Sequence, residues 1–318
     1  MGVGYYNLLL VSPSPRRLVA GLSLAALAAA SAIGAWALLR PLDVHDALVR
    51  WKLWRGGVRR ARLDGLSVLV RDTCGGGECR CAVLIHGLGD SAETWERVLA
   101  GDRGAGPVPP GWRLYAVDMP GTGTSRPPAS PEGYGIREQA RALKSALEPA
   151  CGRWTVVGNS LGGWIAVWLA LEWPEGIERL ILLSSAGLED PSGRAVEAAK
   201  ALAWPTVEKM RDFVARCRYK PPVMSDRALA QIARMIERRP TRRTALAISK
   251  NDFLDGRLGA LSLPVLILWG EADRVIPPSQ GDRFRAALTG AKLRVLPRCG
   301  HIPQSECPEN VTSALYSR

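Results

Sequence analysis

The sequence predicts an α/β fold: a mostly parallel sheet covered by helices on both faces, with a helical insertion late in the chain and an apolar helix ahead of it. Three observations carry this. Short apolar runs such as Ala82-Val83-Leu84-Ile85 alternate with longer helical stretches, which is the pattern of parallel strands joined by crossovers. The stretch Trp154-Thr155-Val156-Val157-Gly158-Asn159-Ser160-Leu161-Gly162-Gly163 passes from β-branched residues into a helical pattern through Gly-x-Ser-x-Gly, the sequence form of a nucleophile elbow. Strand-like runs then vanish between about residues 190 and 261 and return afterwards.

In order, residues 1–17 form a tail ending in Arg16-Arg17, and residues 18–39 run for 22 residues without a charge. About 20 helical residues cross a bilayer, so this run reads as a membrane anchor; a signal peptide cut after Ala35-Trp36-Ala37 is the rival. Residues 40–56 are a basic juxtamembrane segment, and 43–60 read as an amphipathic helix carrying Leu48, Trp51 and Trp54 at headgroup level. Sidedness draws on opposed signals. Arg40, Arg50, Lys52, Arg55, Arg59 and Arg60 follow the apolar run and favour a cytoplasmic domain, whereas the clustered cysteines favour the periplasmic or extracellular side, to which the reading leans.

The core is expected at 57–189 and 262–318. Val58 to Leu63 and Leu66 to Arg71 flank Asp64-Gly65, a hairpin signal. Strands follow at Ala82 to Ile85, Arg113 to Val117, Thr155 to Val157, Leu180 to Leu183, Leu263 to Trp269 and Leu293 to Leu296, with a helical stretch at 135–149. Residues 190–261 read as a helical cap, with helices at Arg194 to Trp204, Val207 to Arg218 and Ala228 to Arg239 separated by prolines. Basic residues outnumber acidic ones in this insertion, so part of the net charge of +12 sits there. That charge suits solubility or an anionic membrane. Nucleic acid is not an expected partner, for no zinc-ligand spacing, RNA-binding aromatic motif or DNA-reading helix is present. With 47% hydrophobic and 23% charged residues the chain is ordered rather than disordered.

Seven cysteines stand at 74, 79, 81, 151, 217, 299 and 307, an odd number that leaves at least one thiol free or paired between chains. The cluster at 74–81 suits disulfides or small apolar residues better than zinc, because a second ligand pair at finger-like spacing is missing.

A serine needs a base, and the sequence offers three histidines. His45 lies in the juxtamembrane segment and His86 ends a core strand, which leaves His301 in the loop after the last strand; the bland alternative is a surface histidine. Asp273, just past a strand end, is the candidate orienting acid, with Glu271 as rival and a turn or cap role as its bland reading. His86-Gly87-Leu88-Gly89 offers the amide of Leu88 as an oxyanion donor beside that of Leu161 at the elbow, and His86 itself reads as a support of this loop. Asp118-Met119-Pro120-Gly121-Thr122-Gly123-Thr124-Ser125 lacks the lysine of a phosphate loop and reads as structural. No metal or cofactor is called for.

Together, His86-Gly87-Leu88-Gly89, Asp118 to Ser125, Gly158-Asn159-Ser160-Leu161-Gly162-Gly163, Trp269-Gly270-Glu271-Ala272-Asp273 and Gly300-His301-Ile302-Pro303 resemble the serine α/β-hydrolases, over about residues 57–318. The resemblance implies an eight-stranded sheet with a cap over the site, Ser160 as nucleophile, His301 as base, Asp273 as orienting acid, and the amides of Leu88 and Leu161 as oxyanion hole. Ser160 stands where haloalkane dehalogenases and epoxide hydrolases carry aspartate. Asn159 beside Ser160 is similar to meta-cleavage product hydrolases, which break carbon–carbon bonds, but those usually carry Trp after the histidine, where this chain has Ile302. The anchor and apolar cap resemble monoacylglycerol-lipase-like enzymes. The expected activity is therefore membrane-anchored hydrolysis of a medium-chain or lipid-like ester through an acyl-serine; the alternatives are carbon–carbon hydrolysis and a non-catalytic binding module.

Overall fold

The computed structural model of the protein describes residues 30, 31, 34, 39–102 and 104–317. The tail at 1–17 and all but four positions of the apolar run at 18–39 lie outside them. Among the described residues no helix is long and apolar enough to cross a membrane.

The chain enters through α1 (Pro41–Arg55), five residues shorter at its C-terminal end than the helix expected over 43–60. Gly57 stops it with φ +69°, a conformation that costs glycine least, and residues 58–60 pair in the sheet instead. Leu48, Trp51 and Trp54 are exposed and Val49 and Leu53 on the other face are buried, so apolar residues stand on both faces and the helix is not the amphipathic one expected. β1 (Val58–Leu63) and β2 (Leu66–Asp72) form the hairpin, with Asp64 and Gly65 both at positive φ. Two consecutive residues in that region match the right-handed twist of the strands they join.

From there strand and crossover alternate: β3 (Arg80–Ile85), the short α2 (Glu96–Ala100), β4 (Trp112–Val117), α3 (Ile136–Leu147), β5 (Trp154–Asn159), α4 (Leu161–Glu172) and β6 (Ile177–Leu183). Four cap helices follow, α5 (Arg194–Ala203), α6 (Val207–Cys217), α7 (Asp226–Arg238) and α8 (Thr241–Ala247). Strand β7 (Val265–Gly270), α9 (Ser279–Ala287), β8 (Lys292–Leu296), α10 (Pro303–Glu306) and α11 (Pro308–Tyr316) complete the chain. The α8 helix was not foreseen: Pro240 ends α7 but also starts α8, so a breaker in the sequence is a junction in the fold.

The eight strands lie in the order β1-β2-β4-β3-β5-β6-β7-β8. β2 runs antiparallel to both its neighbours and every other pair beyond it is parallel. The connection from β3 leads to β4 towards one edge, whereas that from its other neighbour, β5, leads to β6 towards the opposite edge, and the crevice at such a switch is where open α/β sheets bind ligands. The period of two along β3 separates the cores: Val83 and Ile85 face one cluster with Val156, Ile165 and Trp269, and Ala82 and Leu84 face the other with Val157, Trp95 and Val311. Helix α3 buries Ile136, Ala140, Leu143 and Leu147, a single face at helical spacing. The cap has a small core of its own, Leu202, Met210, Leu229, Ala233 and Ile236.

Six of the seven cysteines pair, as Cys74–Cys79, Cys81–Cys151 and Cys299–Cys307, and Cys217 is free and buried. The Cys81–Cys151 link joins the start of β3 to the turn before β5, a pairing that spacing alone does not suggest.

Candidate active site

The elbow is built by backbone crowding. Ser160 has φ 56° and ψ −118°, a strained region for a residue with a side chain. A Cβ on Gly158 would come within 2.3 Å of the Gly162 carbonyl oxygen, and one on Gly162 within 2.3 Å of that of Ile85. Strand β5, helix α4 and the end of β3 therefore approach as closely as they do only because these two positions carry no side chain. The turn leaves Ser160 lining the main cavity, at the N-terminus of α4.

The candidate acid and base meet across 28 residues of sequence. His301 Nδ1 lies 2.8 Å from Asp273 Oδ2, with both side chains buried. Asp273 Oδ1 accepts from the amides of Val275 and Ile276, each at 2.9 Å, so the turn after β7 fixes the carboxylate and its free oxygen faces the imidazole. This arrangement leaves Nδ1 as the donor and Nε2 free to accept a proton. Glu271, the rival acid, is exposed. His301 is held by its own backbone as well: its N–H donates to the Cys217 carbonyl (2.8 Å), and its carbonyl accepts from the Asn159 amide (2.9 Å). Both His301 and Ser160 line one cavity of about 920 Å³, although no hydrogen bond joins their side chains. Such contacts commonly tighten only when substrate is bound.

Leu88 and Leu161 line the same cavity, and the backbone amide of neither donates to another group among the described residues. Leu161 owes this to its place at the first turn of α4, where helical N–H groups have no partner within the helix. For Leu88 the orientation comes from the peptide before it. The Gly87 carbonyl accepts from His86 Nδ1 (2.8 Å) and from the Asp90 amide (3.2 Å), and in a planar trans peptide this aims the Leu88 N–H the opposite way. His86 Nε2 in turn accepts from the Met119 amide at 3.2 Å. Burial, above all, pushes the His86 imidazole below its ordinary pKa and keeps it neutral, the form that donates at one nitrogen and accepts at the other. His86 is thus a support of the loop, as the sequence suggested.

Asp118 is structural as well: it accepts from the Ala92 amide (2.9 Å) and pairs with Arg60 (3.0 Å). Cys217 lines the cavity, but burial raises its thiol well above the ordinary value, so it is not a thiolate nucleophile. Two features escaped the sequence reading, as did the contacts of a third, Asn159, singled out there only for standing beside Ser160. Asn159 links the elbow to the His301 loop and is itself held by Gln304 (3.0 Å). Leu42, His45, Asp46 and Val49 of α1 line the cavity. Arg239 reaches from the cap to the Leu88 loop.

The model of a family described as the alpha/beta hydrolase family matches residues 82–314, from β3 to α11. The chain belongs to the alpha/beta hydrolase family. Among its hydrolase relatives, the 2-hydroxy-6-oxononadienedioate/2-hydroxy-6-oxononatrienedioate hydrolase of Cupriavidus pinatubonensis is 32% identical over 74% of this chain and 84% of its own length. A solved membrane phospholipase A superposes with a TM-score of 0.71 at 23% identity, over 94% of this chain and 96% of its own. The 2-hydroxy-6-oxo-6-phenylhexa-2,4-dienoate hydrolase from Rhodococcus sp. strain RHA1 gives 0.63 at 22% identity, over 81% and 98%. The structural likenesses bear on the fold, and the alpha/beta hydrolase fold with its mostly parallel eight-stranded sheet is the one described above.

Proposed function

We propose that the protein is a serine hydrolase that transfers the acyl part of an apolar carboxylic ester to Ser160 and then to water. The observation that carries this is the buried Asp273–His301 pair, 2.8 Å apart, whose histidine lines the cavity that the strained Ser160 also lines. Ser160 Oγ attacks the ester carbonyl while His301 Nε2 takes its proton and the carbonyl oxygen, now negative, meets the Leu88 and Leu161 amides. His301 returns the proton to the leaving alkoxide, the C–O bond breaks, and a water activated by the same imidazole releases the acid. Trp164, Leu188, Phe213, Ile248 and Ile276 line the cavity and suit an apolar acyl chain. No cofactor enters this scheme.

A second reading, carbon–carbon bond hydrolysis, has the curated relatives in its favour, and on sequence similarity it stands ahead of the ester reading. The same attack would fall on a ketone whose departing carbon can carry negative charge. Ile302, standing where those enzymes usually have Trp, and the apolar wall support the ester. A panel of p-nitrophenyl esters of graded chain length beside 2-hydroxy-6-oxo-dienoates, run with wild type and Ser160→Ala, separates the two. Ester turnover lost in the variant supports the first reading; turnover of dienoates alone replaces it with the second.

Membrane attachment belongs to the same proposal. The uncharged run at 18–39 leads straight into α1, whose Leu48, Trp51 and Trp54 are exposed next to Arg50 and Arg55. The three disulfides support the periplasmic or extracellular side, where such bonds persist. Full-length protein that stays in the soluble fraction of its host, with its cysteines reduced, would overturn both points.

A further inference from the structure

The loop that carries one oxyanion donor is gripped by the cap through three separate contacts. Arg239, at the C-terminus of α7, donates from Nη1 to the Gly89 carbonyl (2.5 Å) and from Nη2 to Ser91 Oγ (3.3 Å). The side chain of Leu88 packs on the cap's own core of Leu202, Met210, Leu229, Ala233 and Ile236. Gly89, at φ +76°, lies flush with the cap: a Cβ there would meet Thr241 Cγ2 at 3.4 Å and Leu202 Cδ2 at 3.7 Å.

The role of Arg239 is not that of a partner in an ion pair. Among the described residues no carboxylate lies within salt-bridge distance of it, and its side chain is half-buried against the loop. Besides a weak contact of Nη2 with Met235 Sδ at 3.5 Å, the guanidinium donates to the loop backbone and the adjacent hydroxyl, and two bonds from one rigid fork fix orientation as well as position. The core holds the same loop from the other side, through His86 on the Gly87 carbonyl. The Leu88 amide thus lies between a clamp from the sheet and a clamp from the insertion.

We infer that Arg239 is a positioning residue for the oxyanion hole, so that seating of the cap sets the Leu88 donor in its working place. The inference rests on the serine-hydrolase reading. An amide that must sit about 3 Å from a charge that develops only during reaction loses most of its effect when its loop drifts. The cap then contributes to the chemical step and not only to the walls of the cavity.

The test uses a trifluoromethyl ketone with an apolar chain, which gains a C–O bond to Ser160 Oγ as the serine proton passes to His301, leaving the former carbonyl oxygen as an oxyanion in the hole. Inhibition constants and steady-state kinetics on a short p-nitrophenyl ester are measured for wild type, Arg239→Met and Ser91→Ala. Arg239→Met is expected to lower kcat and ketone affinity together by about tenfold or more, with KM changed less than about threefold, since one fully lost donor is worth about a hundredfold or more. Ser91→Ala removes one bond of the clamp, leaves the cap sequence intact, and is expected to lose about threefold in both; it carries the test should Arg239→Met not fold. Ketone affinity and kcat within twofold of wild type in the folded variants would overturn the inference, even if their melting temperature fell. Failure of the wild type itself to form the ketone adduct would overturn the hydrolase reading along with it.

Discussion

At Asp273 two backbone amides and one imidazole divide the carboxylate between them, so each oxygen has a task and none faces water. Asp273→Asn would keep the shape and present an amide to Nδ1, favouring the wrong tautomer of His301. We expect kcat to fall about 10³- to 10⁴-fold with the fold intact, read from ester hydrolysis and circular dichroism. Gly158→Ala should act the other way, on stability: its Cβ would meet the Gly162 carbonyl at 2.3 Å, with no flexible side chain to yield. A loss of about 1–3 kcal/mol or more in denaturant unfolding is expected. His86 predicts a pH dependence. Burial first lowers its pKa in the folded state, so the unfolded chain binds a proton near the ordinary 6.5 that the folded chain refuses. Its contribution to stability is full above that value and is lost as pH falls below it. A Tm profile that declines below about pH 6.5, and declines less in His86→Gln, is the expected result.

Among the elements, the disulfides differ in what they constrain. Cys81–Cys151 closes a loop of 70 residues, Cys299–Cys307 one of eight and Cys74–Cys79 one of five. In the chain-entropy account the first restricts the unfolded state most, worth about 4 kcal/mol against roughly 2 for the others. Paired Cys→Ser variants should rank in that order in denaturant unfolding. The Cys299–Cys307 pair brackets His301, so its removal should reduce kcat out of proportion to stability, because the histidine loop loses one of its ties. The sheet strands were legible because apolar runs bounded by glycine have one reading in an α/β chain. At the end of α1 two readings overlapped, a helix to residue 60 and a strand from Val58, for Arg59 and Arg60 suit a basic helix face and a strand edge alike; pairing with Val70 and Leu69 decides for the strand. α8 was hidden for a similar reason, since Pro240 reads as a stop and serves also as a start.

Over the whole molecule, the residues proposed for chemistry could be read from sequence because each stands at a strand end with a local signature: glycines around Ser160, glycine before His301, and a turn around Asp273. Gln304 and Arg239 have no such signature, and Asn159, though noted within the elbow motif, gives no sign of the partners it holds. Their importance lies in contacts that span up to 150 residues and exist only once the cap and the final loop have folded over the sheet. The family assignment rests on a match that runs from residue 82 to 314, while the choice between ester and carbon–carbon cleavage depends on cavity walls that single motifs do not encode. What unites these scales is Ser160, the proposed nucleophile, held in a turn that the glycines around it make room for. Treatment of the purified protein with a fluorophosphonate, followed by peptide mass mapping, tests that claim most directly. A single adduct on Ser160, absent from His301→Ala, is the predicted result; an unmodified Ser160 beside a fully labelled control hydrolase would contradict it.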